Sequence, residues 1–371
     1  MSNLLDTMDS VLLMGPGPSS INPRVYQAMA KPTIGHMDPQ FFALMDGIKD
    51  SLQKLMDTKN DATITLSATG SSGMEAVMTN LVEEGDSLLV ITNGFFADRM
   101  VEVAGRLGAV IDKLEFPWGK PFDMAEVEKK IKAKPYKLVS MVHAETSTGV
   151  LNPVKDVGKL VKAAGAYFII DAVTSLGGNE LKVDEWGIDA LYSCSQKCIG
   201  CPSGLAPVTF SARAMEKVAA RKKKVPNFYL DMGLLMKYWS GSPRAYHHTA
   251  PANMYYGLYE ALSLILEEGL DTVRARHLDV HEYLAAGLEK MGLSLLVEKP
   301  WRLPNLTTVL IPSGVEDAAV RKELRQTYKI EVGAGLGSLG GKIWRIGTMG
   351  YTAHRENVDT LLAALKKILN K

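Results

Sequence analysis

Three groups of residues in this chain could do chemistry together. Lys197 lies in Ser193-Cys194-Ser195-Gln196-Lys197-Cys198, just after the apolar start Ala190-Leu191-Tyr192. A lysine amine can condense with an aldehyde to form a Schiff base, although a lone lysine after a strand is usually a solvated surface group. Asp171 ends the apolar run Tyr167-Phe168-Ile169-Ile170. An acid at the carboxyl end of a buried strand either faces a ligand or caps the next turn, and such a carboxylate can keep a pyridine nitrogen protonated. The third group is Ala68-Thr69-Gly70-Ser71-Ser72-Gly73-Met74-Glu75. Gly70 and Gly73 permit close backbone approach, Thr69 and Ser71 carry hydroxyls, and Ser72 and Glu75 have capping-box spacing. A helix start offers unpaired N–H groups and the positive end of a dipole, which suit a phosphate. The same residues also describe a well-capped helix with no ligand.

The elements that would position these groups read as alternating strands and helices. Short apolar runs at Ser87–Thr92, Leu138–His143, Tyr167–Asp171, Ala190–Ser193 and Ala206–Phe210 have strand length. Several lack polar alternation, as strands buried on both faces do. Met74, Val77, Met78, Leu81 and Val82 fall on one helix face, with Gly85 as the expected C-cap. Asp123–Lys132 and Val154–Gly165 read as further helices. This succession predicts an α/β fold with a mostly parallel sheet and right-handed crossovers. A second region follows. Ala261, Leu262, Ile265 and Leu266 line a helix face that Gly269 interrupts, and Leu284, Leu288 and Met291 continue the pattern. Strands at Thr307–Ile311 and Ile343–Ile346 precede a last helix over Asn357–Leu369. The expected division is an N-terminal segment (1–20), a large domain (21–268) and a smaller α+β C-terminal domain (269–371).

A Schiff-base lysine, a carboxylate for a pyridine nitrogen and a phosphate-binding helix start are the parts a pyridoxal 5'-phosphate site requires. Over nearly its full length the chain resembles the class V, fold-type I pyridoxal-phosphate aminotransferases of the alanine–glyoxylate and serine–pyruvate group. The anchors are Gly15-Pro16-Gly17-Pro18-Ser19, Ile34-Gly35-His36-Met37-Asp38-Pro39, His143-Ala144-Glu145-Thr146-Ser147-Thr148-Gly149, Asp171-Ala172-Val173-Thr174-Ser175, Ser195-Gln196-Lys197, Tyr246-His247-His248-Thr249 and Trp344-Arg345-Ile346-Gly347. The resemblance implies that Lys197 carries the cofactor and later moves a proton, and that Asp171 pairs with the ring nitrogen. Phe96 would stack on the ring where relatives often have Trp, and Thr146 would bond its hydroxyl side. Thr69, Gly70, Ser71 and Gln196 would surround the phosphate, joined by Tyr246 and Thr249 of a neighbouring subunit in a homodimer. Arg345 would clamp the substrate α-carboxylate, with Gly15, Gly17, Gly35 and His36 around a small pocket. The implied reaction is ping-pong transfer from alanine or serine to glyoxylate or pyruvate. An (S)-ureidoglycine–glyoxylate aminotransferase is the alternative. That branch resembles this chain at His143–Gly149 and Lys342–Tyr351, but uses amide side chains where His36 and Tyr246 stand here.

Other readings are weaker. Gly335-Leu336-Gly337-Ser338-Leu339-Gly340 fits G-x-G-x-x-G, but the alternating run Lys342–Ile346 follows it, so a turn in the small domain is expected rather than a dinucleotide site. Cys194, Cys198 and Cys201 lack a nearby fourth ligand for a metal or iron–sulfur site. A cysteine desulfurase shares the fold type but needs a nucleophilic Cys in the last third, and none follows Cys201. A non-enzymatic scaffold would leave the joint presence of Lys197, Asp171 and Arg345 unexplained. The chain has 371 residues, is 46% hydrophobic and carries a net charge of +1. It therefore has ample core and no drive toward nucleic acid or an anionic membrane. Arg221–Lys224 reads as a solvated helix end, without the aromatic platform of a nucleic-acid patch. No apolar run reaches transmembrane length, the first residues lack a basic n-region, and three cysteines suit a reducing compartment. The expectation is a cytoplasmic enzyme.

Overall fold

The structure is a computed structural model and describes residues 3–370. Among these, seven strands form the central sheet: Ala62–Leu66 (β1), Ser87–Thr92 (β2), Val110–Glu115 (β3), Leu138–Val142 (β4), Tyr167–Asp171 (β5), Ala190–Tyr192 (β6) and Ala206–Phe210 (β7). Their spatial order is β1-β7-β6-β5-β4-β2-β3. Every neighbouring pair is parallel except at β7, which runs antiparallel to both β1 and β6. The interior strands β4, β6 and β7 are buried at every position. That is why they read as unbroken apolar runs. β3, at the sheet edge, has no fully buried residue, mixes exposed with half-buried positions and carries Asp112, Lys113 and Glu115. Charges on an edge strand oppose unwanted pairing. They also left no apolar run, and the sequence pattern missed this strand.

Helices cover the sheet. The helix Gly70–Leu81 (α1) has Thr69 at its N-cap, three residues before the expected Ser72 cap. No capping box forms: the Ser72 hydroxyl instead donates to the Thr69 carbonyl at 2.6 Å. The far end is corrected too. The C-cap is Val82, and Gly85 (φ +85°) belongs to the turn before β2. Arg221 is no free surface charge; it donates to the carbonyls of Asn80 and Val82 at this helix's C-terminal end, where a cation is favoured. The helix Phe95–Arg106 (α2) follows β2.

Two long helices, Ala252–Glu268 (α3) and Leu270–Lys290 (α4), meet at Gly269, whose φ of +88° suits glycine. Beyond it, Leu306–Leu310 (β8), Gly333–Ala334 (β9) and Ile343–Gly347 (β10) form an antiparallel sheet in the order β8-β10-β9. The glycine-rich stretch 335–340 connects β9 to β10 as a hairpin turn. The last helix spans Arg355–Ile368.

Buried apolar residues separate into a large core around the seven-stranded sheet, a smaller one holding Val280, Leu284, Leu288, Trp344, Leu361 and Leu365, and a third, small cluster of Ala144, Cys198, Leu303, Leu306 and Met349. Met14 belongs to the smaller core, and Leu12–Leu13 pairs with Ile330–Glu331. The N-terminal segment thus packs on the C-terminal part of the chain before crossing to the large core.

Candidate active site

Asp171 ends β5 at the carboxyl edge of the sheet, where ligands of open α/β sheets bind. It is 2% exposed. One oxygen accepts from the Val173 amide at 2.8 Å and the other from the Tyr192 hydroxyl at 2.7 Å. Burial pushes this carboxyl up to about 6, against the pull of those two bonds and of the Lys197 charge. Tyr192 was not singled out from the sequence. Its role follows from strand register, which aligns Asp171 with Tyr192 across β5 and β6, and no local pattern encodes that register.

The segment after β6 presents Lys197. Burial lowers the pKa of its amine, which donates to the Pro16 carbonyl. The Gly15-Pro16-Gly17-Pro18-Ser19 segment lies against it. Ser19 donates through its amide to the Gln196 carbonyl at 2.9 Å and through its hydroxyl to the Lys197 carbonyl at 2.8 Å. Gly17 has φ +110°, and a Cβ there would stand 2.6 Å from Lys197 Cδ and Cε. Only glycine meets both demands.

The α1 start lies beside this segment. A Cβ on Gly70 would come 2.8 Å from the Cβ of Cys194, and one on Gly73 would come 3.1 Å from the Cβ of Tyr192. The two glycines therefore let α1 press onto β6 and the lysine loop. Thr69 and Ser71 are exposed, and no side chain caps the helix. Gln196 Oε1 is buried with no hydrogen-bond partner.

Arg345, in the middle of β10, is 7% exposed. Its guanidinium donates to the carbonyls of Ala334 (2.6 Å) and Thr146 (3.3 Å). Burial lowers its pKa to about 10. No direct ion pair among the described residues involves it, although the charge of the buried Glu145 carboxylate reaches it and partly offsets the effect of burial. Thr146 is buried on the loop after β4. Phe96 sits in the first turn of α2, edge-on to Phe95 with ring centres 5.6 Å apart. The Arg99 guanidinium lies 5.2 Å from the Phe96 ring centre.

Four residues stand apart. Tyr246 is 64% exposed, and its ring centre lies 5.5 Å from that of His36. Gly35 and Thr249 are exposed, and a Cβ on Gly35 would meet open space. Packing within the chain does not require glycine there. Among the described residues these four make no hydrogen bond or ring contact with Lys197, Asp171 or Arg345. Cys194, Cys198 and Cys201 are free and buried, with thiols pushed up to about 12 by burial. No group of three or more His, Cys, Asp or Glu among the described residues could hold a metal ion. No helix among them is long and apolar enough to cross a membrane.

A doubly covered, mostly parallel sheet with a lysine and a carboxylate at its carboxyl edge defines a fold-type I pyridoxal-phosphate enzyme. The family model described as Aminotransferase class-V matches residues 12–361. A solved structure of alanine–glyoxylate aminotransferase from Nostoc sp. superposes with a TM-score of 0.96 at 49% identity, covering 98% of this chain and 96% of that one. The (S)-ureidoglycine–glyoxylate transaminase of Bacillus subtilis is 40% identical, covering 96% of this chain and 90% of its own. The alanine–glyoxylate aminotransferase of Drosophila melanogaster is 37% identical, covering 97% and 92%. The chain belongs to the class V aminotransferases. It is an enzyme, its cofactor is pyridoxal phosphate, and its substrates are amino acids and 2-oxo acids.

The residues present fit that cofactor. The helix start and the Gln196 carboxamide have hydrogen-bonding capacity that the protein leaves unused. Asp171 and Lys197 are buried and feel each other's charge.

Proposed function

We propose that this enzyme moves an amino group from a small amino acid, alanine or serine, to glyoxylate or pyruvate by a ping-pong mechanism, as a homodimer. Bound pyridoxal phosphate would supply an aldehyde for amines and a ring that takes up the electrons of the breaking Cα–H bond. Lys197 would hold that aldehyde. Its desolvated amine is neutral more often than a surface lysine's, so Nζ can both attack a carbonyl and take the Cα proton. Asp171, fixed by Tyr192 and Val173, would hold a proton on the ring nitrogen. Phe96 would cover one ring face and Thr146 would bond the hydroxyl side. Thr69, Gly70, Ser71 and Gln196 would take the phosphate. Arg345 would bind the α-carboxylate of each substrate in turn, a task for a guanidinium fork. The 2-oxo acid leaves before the second substrate enters the same clamp.

The observation that carries this reading is Arg345. It is a buried cation held by two carbonyls and in direct contact with no acid, with only the more distant Glu145 charge to offset it, which suits a site that takes a substrate carboxylate. The homodimer reading rests on Tyr246 and Thr249, exposed and away from this chain's own Lys197, and flanking His247 and His248, whose rings meet the exposed Phe228 and Tyr229. Against ureidoglycine stands the His36–Tyr246 pair, which offers an imidazole and a phenol rather than carboxamides.

A donor-by-acceptor matrix tests the proposal. The visible band of the purified enzyme should bleach with alanine or serine and return with glyoxylate or pyruvate. Faster bleaching by ureidoglycine than by either amino acid would reverse the assignment. A colourless protein that gains no band with pyridoxal phosphate would sink it.

A further inference from the structure

Glu145 is a buried acid with no part in the mechanism above. It is fully buried, and no ion pair among the described residues involves it. One oxygen accepts from the Ser147 amide at 3.1 Å and the Ser147 hydroxyl at 2.6 Å, while Oε2 makes no further close hydrogen bond, and the Ala97 amide in the first turn of α2 also favours the charged carboxylate. The chain of bonds continues, because Ser147 Oγ accepts from the Phe95 amide at 3.0 Å. That amide opens α2, whose N-cap residue is Gly94 and supplies no side-chain cap. An uncapped helix start leaves backbone donors unsatisfied. Here the cap comes from a loop 52 residues further along the chain. The fit is tight: a Cβ on Gly94 would overlap the Glu145 side chain and Ser147 Oγ. A second bond, from Asn93 Nδ2 to Asn152 Oδ1 at 2.8 Å, joins the bases of the same two segments.

These two segments carry Phe96 and Thr146, the residues read above as cofactor walls. We propose that Glu145 is a positioning residue: through the Ser147 hydroxyl it fixes the first turn of α2, and with it the Phe96 ring relative to Thr146. The inference rests on the reading of Phe96 as the stacking ring. Burial pushes the Glu145 carboxyl up to about 7. The acceptor role needs one oxygen and not a full charge, so a carboxamide can fill it.

The test uses the holoenzyme and three readouts: visible circular dichroism of the bound cofactor, its release rate, and amide hydrogen exchange at Phe95. Glu145→Ala and Ser147→Ala should each release cofactor about tenfold faster and expose the Phe95 amide to exchange, as loss of a helix cap does. Glu145→Gln should stay within about threefold of wild type, because its oxygen still accepts from Ser147. Wild-type release and exchange in Ser147→Ala, which keeps the core filled, would overturn the proposal. So would a Glu145→Gln enzyme as impaired as Glu145→Ala. Phe96→Ala separates this idea from the reading beneath it. An unchanged dichroism signal there removes the stacking assignment. A changed signal there, with none in Ser147→Ala, overturns the Glu145 proposal alone.

Discussion

At the scale of single residues, the site is a contest between burial and charge. Lys197 is desolvated enough to lose its proton readily, whereas Asp171 keeps a partly ionised carboxyl through two hydrogen bonds. Lys197→Ala should lose transamination by about a thousandfold or more while still taking up pyridoxal phosphate noncovalently. Single-turnover kinetics with alanine check this, and wild-type turnover would remove Lys197 from the chemistry. Arg345→Lys should raise KM for the amino acid strongly, because an ammonium cannot reproduce two parallel donors. Losing a buried, charge-assisted pair costs about 2–4 kcal/mol, or roughly 30- to 1000-fold in kcat/KM. An unchanged KM would contradict the clamp. Lys197, Asp171 and Arg345 were legible because each is an ionisable residue beside a strand-like run, flanked by family motifs. Tyr192 and Glu145 were not, since each acts through a partner supplied by tertiary packing.

At the scale of elements, close packing explains what motif spacing left open. The Gly70-Ser71-Ser72-Gly73 stretch could equally have been a capped helix or a phosphate site. The structure adds a third demand: both glycines press α1 onto β6 and the lysine loop. Gly70→Ala would force its Cβ against Cys194 Cβ, 2.8 Å away. It should lift the helix start and weaken pyridoxal-phosphate affinity. Cys194→Gly removes the opposing atom, so the double variant should recover much of that affinity. A double-mutant cycle by fluorescence titration measures this coupling, expected at about 1–2 kcal/mol. Additive effects would show that Gly70 matters for another reason. The interior strands were readable as apolar runs because both faces are covered. The edge strand β3 was not, because half of it meets water. Helix ends drifted by up to three residues, since Thr69 can start a helix as well as Ser72 can.

At the scale of the whole molecule, the N-terminal segment and the loop after β10 tie both cores to Lys197. Thr352 Oγ1 accepts from the Ser20 amide at 3.0 Å and donates to the Leu13 carbonyl at 3.1 Å. The neighbouring Gly350 is held by two residues of α4. Its carbonyl accepts from Arg276 at 3.0 Å, and its amide donates to His277 Nε2 at 3.0 Å. His277 Nδ1 in turn donates to the Val273 carbonyl at 2.7 Å. Both ring nitrogens are therefore committed to the neutral form, and burial lowers the imidazole pKa from 6.5 to about 4. A protonated ring would turn an N–H toward the Gly350 N–H. A histidine whose folded pKa is depressed stabilises fully above its unfolded value and loses that contribution as pH falls through the folded one. The window here runs from about 6.5 down to 4, and the contribution is on the order of 3 kcal/mol. The buried acids Asp171 and Glu145, whose pKa values are raised, pull the opposite way over part of this range. Their effect is common to wild type and a His277 variant and cancels in the comparison. His277→Gln keeps an acceptor for Gly350 but does not titrate. Its melting temperature should fall less steeply than that of the wild type between pH 6.5 and 4, as read by calorimetry across that range. Parallel curves would mean that His277 takes up its proton as readily in the folded chain as in the unfolded one, or that Gly350 finds another acceptor when the ring is charged. In either case the clamp on this loop would carry no pH dependence.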